Sequence, residues 1–232
     1  MNNDTKTLAN VKSAAEILAA AEFKLTLPSP EQTAAWQKED AERAEVKRLN
    51  DVKRLIARAS LPKRQRELAT LDRGGEFGEA ESKLRSLSGT GFLAALVGGV
   101  GPGKSQLGVE LIVHHVETHV QPALFVTLTE LFMHLRASFR NDSPKTELEI
   151  LKEFRRYRLL VIDELSKIAA TDWERRMFFE LLNKRYEDMT DTLLIANMSA
   201  SDLIGFIGPA LASRMNQTGG IIVCDWPSFR NP

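Results

Sequence analysis

Residues 95–112 read "ALVGGVGPGKSQLGVELI". Four glycines and a proline separate a pair of apolar runs, and a lysine and a serine follow them. Residues 98–105 fit G-x-x-x-x-G-K-[ST] without a gap. The run before them predicts a buried strand. After them Leu107, Leu111 and Ile112 recur at the spacing of a buried helix face. Glycine lets the backbone wrap closely enough for successive N–H groups to point at phosphate oxygens. The helix N-terminus adds its partial positive charge there. Gly98, Gly101, Gly103, Lys104, Ser105 and Gln106 are therefore the candidate cradle of a nucleoside triphosphate. In it Lys104 reaches the β- and γ-phosphates, and the Ser105 hydroxyl ligates Mg²⁺.

Outward from this stretch, short apolar runs alternate with helical patterns. The runs are "FLAALVG", "ALFVTL", "RLLVIDE", "TLLIANM" and "GIIVCDW". Strands spaced by crossover helices predict an α/β fold, a five-stranded parallel sheet flanked by helices. The run "LLVIDE" ends in Asp163 and Glu164, which the strand sets at its C-terminal edge beside the phosphate loop. Asp163 can hold Mg²⁺, directly or through water, and Glu164 can polarise an attacking water. An extra glutamate beside the metal-holding aspartate favours hydrolysis over transfer. Asn197, at the polar tip of "LLIANMS", can hold that water or a γ-phosphate oxygen. Arg214, near the end of a predicted helix past Pro209, can stabilise charge on a transferring phosphoryl group.

The first sixty residues have another texture. Val11, Ala15, Leu18 and Ala19 predict a short amphipathic helix. Ser29, Pro30 and Gln32 then read as a helix start with a capping box. From there to about Ala59 the chain is rich in Ala, Glu, Lys and Arg. This predicts a long helix of roughly 45 Å, with Val46, Leu49, Val52 and Ile56 as its narrow apolar stripe. The organisation expected is a helical, partner-binding arm over 1–60 and an ATPase domain over 61–232.

Composition sets the bounds. Hydrophobic residues make up 43% of the 232, enough for a real core. Lysine plus arginine and aspartate plus glutamate each total 31, so any basic footprint for a polyanion must be local. The one cysteine, Cys224, rules out a disulfide framework and fits a reducing compartment. No apolar run reaches the roughly 18 residues of a membrane span, and no signal peptide is evident. A cytoplasmic protein without a membrane partner is expected. His114, His115 and His119 lack the acidic pattern of a helical zinc site and are expected to face solvent.

With these residues in order, the chain resembles the AAA+ ATPases of the DnaC-type bacterial helicase loaders and their IstB-like transposition-helper relatives. The resemblance runs from about Leu61 to the C-terminus. Its more particular signals are "LPKRQRELATLD", "LTELFMHLRASFRND" and "DWPSFR". Gln65 departs from the aromatic residue expected in the first of these. The resemblance implies that Arg214 acts as an arginine finger on a neighbouring subunit's ATP and that Arg230 is a second sensor arginine. It also implies that no C-terminal lid domain is present.

A DNA contact is expected on "TELFMHLRASFRNDSPK", where Arg136, Phe139 and Arg140 cluster near a helix end. Cations track phosphates and the ring stacks a base. The family places a DNA-contacting insertion helix here. Trp173, at the start of a later helix, is a further stacking candidate. The function implied is an ATP- and Mg²⁺-dependent loader that binds a hexameric replicative helicase, self-associates through its AAA+ domains and acts on single-stranded DNA. The alternatives are an IstB-like helper acting on duplex DNA and a nucleotide-binding adaptor with little hydrolysis.

Overall fold

The computed structural model of the chain describes residues 28–68, 74–138, 144–165 and 171–229. The amphipathic pattern of residues 11–19 lies outside them. The chain divides into two compact units, Met1–Val46 and Lys47–Pro232.

Helix α1, Pro30–Arg58, carries this division within it. It starts as the capping box predicts: Ser29 N donates to Gln32 Oε1 at 2.9 Å, and Gln32 N donates to Ser29 Oγ at 3.2 Å. In the first unit the helix is exposed, with Trp36 at 57% and Val46 at 59%. In the second unit Val52 and Ala59 are buried, and Leu55 and Ile56 pack against the same core. Phe125 N donates to Ala59 O at 2.8 Å. The sequence reading starts the ATPase domain at Leu61, whereas the compact unit begins at Lys47. The stripe explains the difference. Its lower half is core, while Leu49 remains 44% exposed.

The second unit continues with α2 (Lys63–Leu68), α3 (Gly75–Leu87), β1 (Leu93–Val97), α4 (Lys104–His119) and β2 (Ala123–Thr127). After these come α5 (Leu128–Ala137), α6 (Glu147–Arg155), β3 (Leu159–Asp163) and α7 (Asp172–Glu187). The last elements are β4 (Asp191–Ile195), α8 (Ala200–Thr218) and β5 (Gly220–Val223). All five predicted runs are strands, in the order β2-β3-β4-β1-β5 with every neighbouring pair parallel. β1, β3 and β4 are buried throughout. Along β1, Leu93, Ala95 and Val97 face one core, with α5 to α8, while Ala94 and Leu96 face the other, with α1, α3 and α4. Each buried leucine stabilises the fold by about 1.5–3 kcal/mol. Among the described residues no helix is long and apolar enough to cross a membrane.

The N-terminal edge of the sheet is fastened by Arg185, which is fully buried. Its guanidinium donates to the carbonyls of Phe154 at 2.9 Å, Tyr157 at 2.8 Å and Asp191 at 2.6 Å, and to Thr192 Oγ1 at 2.9 Å. Burial pushes its pKa down to about 9, which leaves it charged at neutral pH. The histidines correct the sequence reading, with His114 and His119 half-buried rather than exposed. His115 is 1% exposed rather than solvent-facing. Its Nδ1 pairs with Ser88 Oγ at 3.0 Å, and burial pushes its imidazole down to about 4. The neutral ring therefore makes no ion pair with Asp191, 3.5 Å away. The short polar run around Ser88 gave no sign that a helix face would close over it.

Candidate active site

The C-terminal ends of β1, β3 and β4 lie side by side at one edge of the sheet, and the candidate residues leave from there. Loop 98–103 follows β1 and enters α4 through Gly103, whose φ is 87°. Lys104 is 4% exposed. Its Nζ donates to Gly98 O at 3.1 Å and to Gly99 O at 2.5 Å, which holds the ammonium inside the loop.

Across β4, at the end of β3, Asp163 Oδ2 accepts from Ser105 Oγ at 2.6 Å. This places a hydroxyl and a carboxylate from separate elements together beside the loop. That donor set fits Mg²⁺, which is held by one or two protein oxygens together with substrate phosphates. Burial pushes the Asp163 carboxyl up, and hydrogen bonds from Ser105 and from Glu164 N pull it back. Its other oxygen accepts from Glu164 N at 2.6 Å.

Glu164 has a φ of 64°, a left-handed conformation that costs a residue with a Cβ roughly 1–2 kcal/mol. Such strain gathers at functional sites. Glu164→Gly should therefore raise the free energy of unfolding by about 1 kcal/mol, once the larger entropy of unfolded glycine is subtracted, while removing the carboxylate. Urea denaturation measures this, and a loss of stability above about 1 kcal/mol would contradict the strain argument.

Asn197 leaves the end of β4, the strand between β3 and β1. Its neighbours are fixed to the loop's own strand. Ala196 N donates to Leu96 O at 2.9 Å, and Met198 O accepts from Gly98 N at 3.0 Å. Asn197 is thus exposed between Asp163 and the loop. Gln106 is placed differently from the other cradle residues. Its side-chain amide donates to Gln65 O and to Glu110 Oε1, both at 3.0 Å. A contribution from Gln106 to a phosphate cradle would therefore come from its backbone N–H. Gln65, the departure from the expected aromatic, makes that contact through its carbonyl, which any residue supplies.

Arg214 stands at the other edge of the sheet. Helix α8 is broken at Gly208, φ 80° and ψ 162°, just before Pro209, and Arg214 lies on its second half. Arg214 O accepts from Thr218 Oγ1 at 3.1 Å, and Thr218 Oγ1 accepts from Leu93 N, the first residue of β1, at 3.0 Å. The phosphate loop leaves the far end of that strand, roughly 16 Å away at about 3.3 Å per residue. The guanidinium donates to Asn183 Oδ1 at 2.5 Å and lies 5.0 Å from the Tyr186 ring centroid. Both partners are on α7 near its C-terminal end, so Arg214 does not reach its own loop.

The candidate DNA residues fall elsewhere. Arg136, at the end of α5, pairs with the buried Glu174 of α7, and Trp173 beside it is partly buried against the core. Phe139, Arg140 and Arg230 lie outside the described residues.

Residues 224–229 pack against the phosphate loop, a part the sequence reading did not give them, since it used "DWPSFR" as a family signal alone. A Cβ on Gly98 would sit 2.3 Å from Cys224 O, and one on Gly101 would sit 2.0 Å from Ser228 Oγ. Trp226 Nε1 donates to Pro102 O at 2.7 Å, and Phe229 N donates to Gly101 O at 3.1 Å. The Phe77 ring meets Trp226 and Phe229 edge to face, at centroid distances of 6.2 and 5.5 Å. The signal was present in "DWPSF", a dense aromatic and turn-forming run just past the last strand. Cys224, where the segment begins, is buried, and burial pushes its thiol up to about 12, so it is not a nucleophile.

Comparisons with known proteins bear on the family and the fold. The family model of the IstB-like ATP binding protein matches residues 18–213. Among curated proteins the chain is similar to the replicative helicase loader DnaC of Escherichia coli strain K12. The two are 22% identical over 164 residues, which covers 66% of each chain. The DnaC of Buchnera aphidicola subsp. Acyrthosiphon pisum is 23% identical over 131 residues, 56% of this chain and 53% of that relative. The chain thus spans about half the length of this Buchnera relative. Among solved structures, a DnaC helicase loader superposes with a TM-score of 0.61 at 22% identity, covering 71% of this chain and 100% of the other. The replication initiator DnaA, bound to AMPPCP and single-stranded DNA, superposes with a TM-score of 0.57 at 15% identity, covering 72% and 52%. The shared fold is that of the P-loop AAA+ domains. With the family model running over most of its length, the chain is a member of the IstB-like ATP binding proteins.

Proposed function

We propose that the chain binds ATP with Mg²⁺ at loop 98–105, hydrolyses it, and uses the cycle to place a replicative DNA helicase on single-stranded DNA. The observation that carries the ATPase half is the 2.6 Å contact between Ser105 Oγ and Asp163 Oδ2 beside the lysine-bearing loop, with Glu164 next in sequence. The backbone N–H groups of the loop and Lys104 hold the β- and γ-phosphates. Entering phosphate oxygens take over Lys104 from the carbonyls of Gly98 and Gly99. Ser105 and Asp163 would hold Mg²⁺, which when bound neutralises charge on the phosphate oxygens. Glu164 orients and polarises the attacking water, and Asn197 fixes it from the neighbouring strand. Arg214 is supplied by a second copy of the chain, since it lies at the far edge of the sheet from its own loop.

The loader half rests on the similarity to the DnaC relatives. In this reading the N-terminal stretch of α1, with the exposed Trp36 and Val46, belongs to the arm that grips the helicase. Arg136 and Trp173, together with Phe139 and Arg140, contact single-stranded DNA. A protein beginning at Lys47 should stay folded and bind ATP, because Val52 and Ala59 remain to fill the core. It should no longer capture a hexameric replicative helicase. Size-exclusion chromatography with the purified helicase measures this, and undiminished capture by the shortened protein would overturn the arm's role. The family match favours one rival reading, a transposition helper acting on duplex DNA. Tighter binding to duplex than to single-stranded DNA at equal salt would select that rival. Measurable ATP turnover by the intact protein separates both from a pure adaptor.

A further inference from the structure

Residues 224–229 do more than cover the phosphate loop. They hold its carbonyls from outside. The peptide between Pro102 and Gly103 is trans, as are all the described peptides. In a planar trans peptide the N–H points opposite to the C=O. The Pro102 carbonyl accepts from the Trp226 indole at 2.7 Å, so the Gly103 N–H is aimed to the other side. Gly103 is the residue through which the loop enters α4, next to Lys104. Its φ of 87° is reachable without strain only by glycine, so backbone preference alone does not choose one orientation for this peptide. The Gly101 carbonyl is held on the same segment by Phe229 N. Phe77, 2% exposed, braces the rings of Trp226 and Phe229 from α3.

We propose that Trp226 is a positioning residue for the nucleotide phosphates: its indole N–H fixes the 102–103 peptide and so aims the Gly103 N–H into the cradle. This deepens the ATP-binding reading and rests on it. The ring has a different possible use, stacking on the base of the nucleotide. The two uses differ in one respect. An aimed N–H serves any polyphosphate, whereas stacking serves only ligands that carry a base.

The test compares the full-length protein with Trp226→Phe, which keeps an aromatic ring and loses the N–H. Binding of a fluorescent ATP analogue is titrated directly, and inorganic tripolyphosphate is titrated as its competitor. One neutral hydrogen bond supports a change of roughly 3- to 10-fold. The expected result is a loss of that size, equal for the ATP analogue and for tripolyphosphate, with the thermal unfolding midpoint near that of the wild type. Weaker ATP with unchanged tripolyphosphate would assign the ring to the base and overturn the proposal, as would unchanged binding of both. If the wild-type protein binds neither ligand, the nucleotide reading itself falls, and this proposal with it. A second measurement needs no variant at Trp226. In ¹⁵N-labelled protein the indole signals of Trp36 and Trp173 are assigned through their phenylalanine variants. The remaining indole signal should shift when tripolyphosphate binds, and a stationary signal overturns the proposal.

Discussion

Replacing Lys104 with alanine should weaken ATP binding by about 3 kcal/mol, roughly a hundredfold, and abolish turnover. Lys104 is 4% exposed and its ammonium is already held inside the loop by two carbonyls, so it needs little reorientation to meet the phosphates. A hydrogen bond to a charged group is worth about 1.5–3 kcal/mol, and this cation meets more than one phosphate oxygen. The fold should survive the change. The side chain donates to the loop's own carbonyls, while Gly98 N on Met198 O and Cys224 N on Val97 O anchor the loop at its start and Leu107 N on Gly103 O anchors it at its end. Equilibrium titration with a fluorescent ATP analogue, beside a thermal unfolding curve, separates the two effects. Unchanged affinity in a folded Lys104→Ala protein would mean that the loop is not the triphosphate site.

The features of this site that were legible in the sequence share one property: each is fixed by a local rule. The phosphate loop is contiguous. Asp163 and Glu164 are placed by the strand that precedes them, and the α1 start is set by a capping box four residues long. The parallel sheet follows from apolar runs separated by helix-length spacers. What the sequence did not show depends on distant pairs. The buried lower half of α1 depends on a hydrogen bond between Ala59 and Phe125 and on a core assembled from α3 and α4. His115 reads as a helix-surface residue until the segment around Ser88 folds over it. The segment at 224–229 reaches back more than a hundred residues to Pro102, and no periodicity announces such a contact. Arg136 reads in the sequence as a cation for nucleic-acid phosphates, and its partner Glu174 lies on a later helix, α7.

Arg214→Ala should bind ATP as the wild type does and lose turnover by a factor of about 10³, the lower end of what arginine fingers contribute. Distance decides where this arginine can act. It is fastened by Asn183 and Tyr186 at the edge of the sheet where β1 begins, and the loop opens where β1 ends. Within one chain the guanidinium is therefore too far from loop 98–105, so a finger role requires a second copy. Its hydrogen bond to Asn183 and its place over Tyr186 hold it in one geometry, which lowers the entropy lost on meeting a phosphate.

The most direct measurement is ATP turnover by a mixture of Lys104→Ala and Arg214→Ala, under conditions where mixed assemblies are shown to form, with single-stranded DNA and helicase present. Lys104→Ala has an intact finger and a defective loop, and Arg214→Ala has the reverse. Each alone should be close to inactive. The mixture should regain turnover wherever an intact loop meets an intact finger, up to about a quarter of the interfaces at equal amounts if the copies mix at random. That rescue is the result the account predicts. Two inactive variants that stay inactive in demonstrably mixed assemblies would contradict it, because the site would then not be completed by a second copy of the chain.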